Sequence, residues 1–359
     1  MKILYVITGL AQGGAERVVC DLADAMFEKG NEVKIAYLTG EIITQPANKE
    51  IELLSIGLTN AIMLPKAYLA LSKIIRGFKP DVVHTHMVHA NILTRLIRMT
   101  TPIQKLVCTA HNSNEGGVLR MLSYRATNSL ANLTTNVSDT AVAAFEAKHA
   151  VPKDSMLTVY NGVNFDNFTY DSEAKTAIVK ELNLSIDTKL VLAVGRFNVQ
   201  KNYFNLLNSI NVVKEQLSTI PFVLIIAGDG ELRDEIEQLI IALDIQDNVM
   251  LLGRRNDVPT LMSACDVFVL SSDYEGLPTV LIEALACQAQ VVSTDVSGVH
   301  EIVGRYGKIV PTKNPLALAN AIKDSLQGIS KNVLGQQHVE NKFDLNLISD
   351  EWLKIYNEV

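Results

Sequence analysis

The 359-residue chain predicts an α/β protein made of two doubly wound domains. Three observations carry this reading. At roughly 100–200 residues per domain, the length suggests two. Short apolar runs without polar alternation recur between longer amphipathic segments, which is how strands of a helix-covered parallel sheet read. The pattern restarts after about residue 160.

The first domain is expected over 1–160. Residues 2–7 form a β-rich apolar run. A helix follows over 15–29, where Val18, Leu22, Ala25 and Met26 share a face and Gly30 supplies the stop. A strand is expected over 32–38, and shorter ones over 81–84, 105–109 and 133–137. Helical periodicity lies near 66–78, 90–99, 118–131 and 139–149. The second domain is expected over 161–339. Its strands read at 190–194, 222–227, 249–251, 267–270 and 290–293. Its helices read at 202–216, 231–242, 258–263, 278–286 and 315–326. A C-terminal helix of about 340–359 is expected to pack back on the first domain. The join falls near Tyr160-Asn161-Gly162-Val163 without a low-complexity linker. Two Rossmann-like domains are therefore expected to face each other across a cleft, with ligands at the carboxyl ends of the strands.

Composition narrows the function classes. An apolar fraction of 48% and a charged fraction of 20% exclude disorder. The net charge of −7 is uneven. Residues 1–160 carry 16 Lys+Arg against 13 Asp+Glu (net +3), and 161–359 carry 16 against 26 (net −10). The basic excess peaks in 61–153, with eleven basic and four acidic residues, which suggests an anionic partner for the first half or a solvated face. The acidic total argues against general nucleic-acid binding. Cys20, Cys108, Cys265 and Cys287 form no C-x-x-C pair, which disfavours a zinc site or disulfide scaffold and fits a reducing cytoplasm. No uncharged apolar run approaches the ~20 residues of a spanning helix. The apolar stretch 3–7 is too short for a signal peptide and leads into a first buried strand.

Glycine loops at predicted strand ends carry the chemistry. Gly9, Gly13 and Gly14 lie between the first strand and helix, where backbone amides can meet an anion. The spacing is not G-x-G-x-x-G, so a dinucleotide site is disfavoured. Gly195-Arg196 ends a strand and Lys201-Asn202 opens a helix. A guanidinium fork, a mobile ammonium and a helix N-terminus together suit a diphosphate. Gly228-Asp229-Gly230-Glu231 repeats the strand-to-helix turn, with Asp229 or Gly230 as candidate N-cap. Leu252-Gly253-Arg254-Arg255 places backbone where a base edge can sit.

Glu275-Gly276-Leu277-Pro278 leads into a helix containing Glu283. Pro278 suits the first helical position, with the amides of Gly276 and Leu277 at the helix start. One carboxylate can hold sugar hydroxyls and the other a ribose diol. Asp295-Val296-Ser297-Gly298-Val299-His300-Glu301 makes a further turn into a helix. His84, His86 and His89 follow one strand and His111 another. No carboxylate or cysteine has matching ligand spacing, so metal binding is disfavoured; His111 reads as a polar group facing the cleft, and His84 as a buried histidine. Leu119, Leu122, Ala126, Leu130 and Leu133 form a helical apolar stripe beside Arg120 and Arg125, read as core ahead of a membrane-facing stripe.

In this order, Gly13-Gly14-Ala15-Glu16-Arg17, Asn161-Gly162-Val163, Gly195-Arg196 with Lys201, Gly228-Asp229-Gly230, and Glu275-Gly276-Leu277-Pro278 with Glu283 resemble the retaining glycosyltransferases of family 4 (group 1) with the GT-B fold. Within that family the chain is most similar to bacterial enzymes building O-antigen, capsule or other lipid-linked glycans. The resemblance implies a nucleotide-sugar donor, UDP ahead of GDP, and a polyprenyl diphosphate-linked glycan acceptor. The cysteines fit a cytoplasmic protein, the basic 61–153 region suits peripheral contact with the anionic inner membrane, and the acidic total disfavours nucleic acid; Arg196, Lys201 and helix N-termini can do the work of a metal, so no metal or other cofactor is expected. By position, Arg196 and Lys201 would bind the diphosphate, Glu283 the ribose, and Glu275 with Gly276, Leu277 and Pro278 the donor sugar. Gly13 and Gly14 would close over the phosphates, His111 would stand near the reacting sugar, and Arg254 would flank the base. Gly195, Gly228 and Gly230 complete the nucleotide-sugar set. Ser297-Gly298 and His300 replace the family's Gly-Gly and Pro, and Asn112 replaces its Asp. A non-catalytic nucleotide-sugar-binding protein and a GT-B epimerase are the alternative readings.

Overall fold

The computed structural model describes residues 1–11, 13–217, 220–328 and 331–359. The chain divides into two compact units, one of Met1–Asn164 with Phe343–Val359 and the other of Phe165–Lys342.

The first unit runs β1 (Lys2–Ile7), α1 (Gly14–Glu28), β2 (Glu32–Tyr37), β3 (Glu52–Ser55), α2 (Leu64–Phe78), β4 (Val82–His86), α3 (Val88–Ile97), β5 (Lys105–Ala110), α4 (Val118–Thr127), β6 (Leu133–Asn136), α5 (Asp139–Ala147) and β7 (Met156–Thr158). The strands make one sheet in the order β3-β2-β1-β4-β5-β6-β7, parallel at every pairing. β1 and β4 are buried on both faces, which explains their unbroken apolar character.

The second unit runs α6 (Ala174–Glu181), β8 (Lys189–Val194), α7 (Tyr203–Gln216), β9 (Phe222–Ala227), α8 (Arg233–Ala242), β10 (Val249–Gly253), α9 (Val258–Ala264), β11 (Val267–Leu270), α10 (Thr279–Ala286), β12 (Gln290–Thr294), α11 (Val299–Val303), β13 (Gly307–Val310), α12 (Pro315–Gln327) and α13 (Val333–Phe343). Its parallel sheet has the order β10-β9-β8-β11-β12-β13.

The last helix, α14 (Leu345–Glu358), belongs to the first unit. Its Ile348, Trp352, Ile355 and Tyr356 pack with Ile3, Tyr5, Val19, Leu22 and Met26 in one buried cluster. The chain returns through a pair of backbone bonds, Val163 N–H to the Phe343 carbonyl at 2.8 Å and Leu345 N–H to the Val163 carbonyl at 3.1 Å. A β-carbon on Gly162 would stand 2.8 Å from the Leu345 α-carbon. The glycine of the Asn161-Gly162-Val163 motif therefore lets the returning chain approach. This pairing moves the division from the expected 160 and 339 to Asn164 and Lys342.

Several elements escape the sequence reading. β3 and β7 are edge strands of four and three residues, too short for a period to show. β13, α6 and α13 escape the reading as well, whereas the expected turn into a helix at 295–301 is present as α11. Residues 118–131 divide into α4 and a following 3₁₀ turn.

The core reading of the leucine stripe is overturned at its start. Leu119 is 81% and Leu122 51% exposed, and Ala126 is exposed too. The inward face of α4 is Met121, Tyr124 and Thr127, packed against Phe145 and Val88. Both triplets have helical spacing; Tyr124 wins the interior because its hydroxyl is hydrogen-bonded there, accepting from the Asn91 amide at 2.7 Å. Arg95, counted in the basic region, is buried instead. Its guanidinium lies 5.1 Å from the Tyr124 ring centre and donates to Thr134 Oγ1 at 2.7 Å.

Candidate functional site

In a doubly wound sheet the crevice opens where successive connections diverge to opposite faces. In the second unit that point lies between the neighbours β8 and β11. The loop after β8 carries Gly195, Arg196 and Lys201; the loop after β11 carries Ser272 and Glu275.

The two loops are stitched together. Ser271 Oγ donates to the Lys201 carbonyl at 2.8 Å, Asp273 N–H to the Gln200 carbonyl at 2.9 Å, and Asn202 Nδ2 to Asp273 Oδ1 at 2.7 Å. Lys201 Nζ reaches Glu275 Oε1 at 2.8 Å. Glu275, only 8% exposed, also accepts from Ser272 Oγ at 2.8 Å and Gln200 Nε2 at 2.9 Å. A buried carboxylate requires such donors. Two residues 74 apart, assigned to diphosphate and sugar, thus share one point. Arg196 is exposed and pairs with Glu231 at 3.1 Å.

The glycines do structural work. A β-carbon on Gly228 would fall 1.9 Å from the Gly195 carbonyl oxygen, and one on Gly230 2.5 Å from the Phe197 carbonyl oxygen. Their absence lets the loops after β8 and β9 lie in backbone contact, sealed by Gly195 N–H to Ala227 O at 3.1 Å and Phe197 N–H to Asp229 O at 3.0 Å. Gly228 N–H binds the Gly253 carbonyl at 2.8 Å, which attaches the loop bearing exposed Arg254.

Two local expectations are corrected. Pro278 is the residue before α10, not its first; its ψ of 87° is non-helical. The helix-opening amides are those of Thr279 and Val280. Gly276, Leu277 and Pro278 are buried, and Gly298, in a left-handed conformation (φ 81°), lies where a β-carbon would meet the Gly276 carbonyl at 2.7 Å. Glu283, half-buried, sits on α10. The N-cap of α8 is Leu232, not Asp229 or Gly230, because Leu232 N–H is taken by the Phe197 carbonyl at 3.1 Å.

In the first unit the equivalent point lies between β1 and β4. Gly13 caps α1 in an extended conformation and a β-carbon at Gly14 would meet nothing within 4 Å, so neither is required by its backbone. His86 ends β4. His111, half-buried, follows β5. Parallel register sets His86 beside Thr109, and His86 Nδ1 lies 2.9 Å from His111 Nε2. Burial pushes the His111 imidazolium down to about 4 and holds His84 and His86 well below the usual histidine range. All three rings are neutral at neutral pH.

His84 is structural, with Nδ1 2.6 Å from the Tyr356 hydroxyl and Nε2 2.7 Å from Thr109 Oγ1. His89 is exposed. Among the described residues, no three His, Cys, Asp or Glu converge as metal ligands, and no helix is long and apolar enough to cross a membrane. Sequence reasoning missed Gln200 and Ser272 as Glu275 partners; their positions beside Lys201 and Glu275 were the available signal. It also left His86 without a role.

Two family models match the chain, one described as Glycosyltransferase Family 4 over residues 12–167 and one as Glycosyl transferases group 1 over residues 174–335. A Campylobacter jejuni N-acetylgalactosamine-N,N'-diacetylbacillosaminyl-diphospho-undecaprenol 4-alpha-N-acetylgalactosaminyltransferase is 28% identical, covering 91% of this chain and 90% of the relative. A second C. jejuni protein, the GalNAc-alpha-(1->4)-GalNAc-alpha-(1->3)-diNAcBac-PP-undecaprenol alpha-1,4-N-acetyl-D-galactosaminyltransferase, is 29% identical over 100% of this chain and 99% of its own. The fold is shared with Anabaena Alr3699/HepE, solved with UDP and glucose, at a TM-score of 0.84 and 19% identity over the whole of both chains.

Proposed function

Since the chain belongs to the family 4, group 1 glycosyltransferases and has the GT-B fold, we propose that it is a retaining, metal-independent transferase. It moves a hexosyl or N-acetylhexosaminyl group from a UDP-sugar to a hydroxyl of a polyprenyl diphosphate-linked glycan during surface-polysaccharide synthesis. The observation that carries this is the Lys201–Glu275 pair, held at 2.8 Å where the second sheet's connections diverge. It sets a cation for the leaving diphosphate against a carboxylate for the sugar.

Breaking the bond between anomeric carbon and diphosphate builds negative charge on the departing oxygens. Lys201, Arg196 and the opening amides of α10 meet that charge, and preorganised donors of this kind lower the barrier most. The donor phosphates draw Lys201 from Glu275, and Glu275 then accepts from the sugar hydroxyls. Glu283 takes the ribose diol. The loops bearing Gly195, Gly228, Gly230 and Arg254 carry the nucleotide, and Gly13 and Gly14 give room for phosphate beside the first unit's helix. His111 stands at the reacting sugar. The acceptor hydroxyl attacks from the leaving-group face and gives its proton to the departing phosphate oxygen, so no protein base is needed.

The names of the Campylobacter relatives, with undecaprenol diphosphate-linked acceptors, support the acceptor class, and the UDP complex of the Anabaena protein supports the base. Exposed Leu119 and Leu122 beside Arg120 and Arg125 support contact with an anionic membrane surface from the cytoplasmic side.

The test incubates the protein with paired UDP- and GDP-sugars and a polyprenyl diphosphate-linked saccharide, with and without chelator. Expected are transfer from the UDP-sugar, indifference to chelator, and a product keeping the donor's anomeric configuration. An inverted product, loss of turnover in chelator, or epimerisation of the donor alone overturns the corresponding part.

A further inference from the structure

We propose that His86 is a positioning residue whose buried ring decides which nitrogen of His111 carries the proton, leaving His111 to offer an N–H from Nδ1 to the reacting sugars. The inference rests on the reading of His111 as a site residue.

Both rings are neutral because burial disfavours the imidazolium. A neutral imidazole has one N–H and one bare nitrogen. The 2.9 Å contact between His86 Nδ1 and His111 Nε2 therefore holds a single proton, belonging to one ring or the other. The far nitrogen of His86 decides which. His86 Nε2 is buried and has no hydrogen-bond partner among the described residues. If His111 donated, the His86 proton would sit on Nε2 as a buried N–H with no acceptor, the rarer and costlier kind of orphan. If His86 donates, Nε2 holds only a lone pair. The second arrangement is favoured, and it places the His111 proton on Nδ1.

The His86 ring has little freedom to escape this role. It ends β4 in register with Ile7 of β1 and Thr109 of β5. Its ring centre lies 4.0 Å from that of His84 and 5.8 Å from that of Tyr5. His84 offers no alternative partner, since Tyr356 and Thr109 occupy both its nitrogens. The His111 end is held too, its backbone N–H donating to Glu115 Oε1 at 3.1 Å. The hydrogen bond on one imidazole nitrogen thus fixes the state of the other, as in supporting partners of other functional histidines.

The consequence is chemical. A His111 that presents N–H can donate to a sugar oxygen but has no lone pair there to take a proton. It is a binding and orienting group, consistent with an attack in which the leaving phosphate accepts the acceptor's proton.

The experiment labels the histidine rings with ¹⁵N and records long-range ¹⁵N–¹H correlations on the ligand-free full chain. Expected for wild type is His111 with Nδ1 protonated and Nε2 bare. In His86→Leu the proton should move to Nε2, the position an unconstrained histidine prefers. In His86→Asn, whose amide N–H₂ sits near the lost Nδ1, the wild-type pattern should return. Turnover should follow, with kcat falling about 10–100-fold in the leucine variant, the donor KM little changed, and the asparagine variant recovering much of the loss. Wild-type His111 protonated on Nε2 overturns the inference even if neither variant folds. An unchanged tautomer in a folded His86→Leu does the same. Normal turnover in His111→Ala beside the expected tautomer overturns the site reading alone.

Discussion

Replacing Lys201 with methionine keeps the apolar stem and removes the ammonium, which makes it a clean probe of the site. Glu275 then loses the Lys201 ammonium and keeps the Ser272 hydroxyl at 2.8 Å and the Gln200 amide at 2.9 Å. A hydrogen bond to a charged group contributes about 1.5–3 kcal/mol. The Lys201 and Glu275 side chains are only 19% and 11% exposed, so the upper end, about 3 kcal/mol, applies, with the remaining donors keeping the carboxylate paired. Turnover responds differently. Removing one preorganised donor to a developing anion costs about 3 kcal/mol of barrier, or about two decades of rate. The double variant Lys201→Met/Glu275→Gln separates these effects. It no longer buries an under-paired charge, so stability should recover to within about 0.5 kcal/mol of wild type, while turnover stays at least a hundredfold down. Denaturant unfolding and a coupled nucleotide-release assay read the two quantities. Turnover within a few-fold of wild type in Lys201→Met refutes the assignment. So does a double variant in which restored stability restores turnover.

Gly228→Ala should destabilise by about 1–3 kcal/mol and weaken UDP binding, because its β-carbon would overlap the Gly195 carbonyl at 1.9 Å; Gly14→Ala, with nothing within 4 Å, should leave the melting temperature unchanged. Wild-type melting of Gly228→Ala would contradict the backbone contact. Acid should destabilise the first unit through its neutral histidines. The unfolded chain takes protons near pH 6.5 while folded His84 and His86 resist until well below. Their contribution is therefore complete above about pH 6.5 and falls as pH drops, by about 1.4 kcal/mol per unit for each ring, with His111 adding until about pH 4. Unfolding free energy that is flat between pH 6.5 and 5 would refute this. Leu119→Glu with Leu122→Glu should change stability by less than about 0.5 kcal/mol yet abolish sedimentation with anionic vesicles at low salt; unchanged sedimentation would remove the membrane surface from the proposal.

The main strands were legible because a strand covered by helices on both sides cannot hide its apolar run, and β1, β5 and β9 have little polar interruption. The glycine loops were legible because strand-to-helix turns that bring backbones into contact admit little else, as Gly228 against Gly195 shows. β3 and β7 were not, since three or four residues leave no period to count. The direction in which α4 faces was equally hidden. Leucines at 119 and 122 and the triplet Met121, Tyr124 and Thr127 all fit a helix, and only the tertiary partners Asn91 and Phe145 decide between them. The pairings at the site were beyond reach for a different reason. Lys201 and Glu275 meet because β8 and β11 are neighbours, and His86 meets His111 because β4 and β5 are. Adjacency belongs to the sheet order, which no local stretch of residues encodes.

The lodging of α14 against β1 has a consequence for biosynthesis. The Tyr5 and Tyr356 hydroxyls that meet at 3.3 Å are separated by 351 positions. Translation delivers the first strands long before the helix that covers them, and the whole second unit is made in between. Domains generally fold in the order of their emergence, yet here the earlier unit must wait with an apolar groove beside Val19 and Met26 open while the later one completes its own interior. A chain ending short of residue 345 would thus leave the apolar face beside Val19 and Met26 uncovered, an unsealed first half that only the closing helix completes.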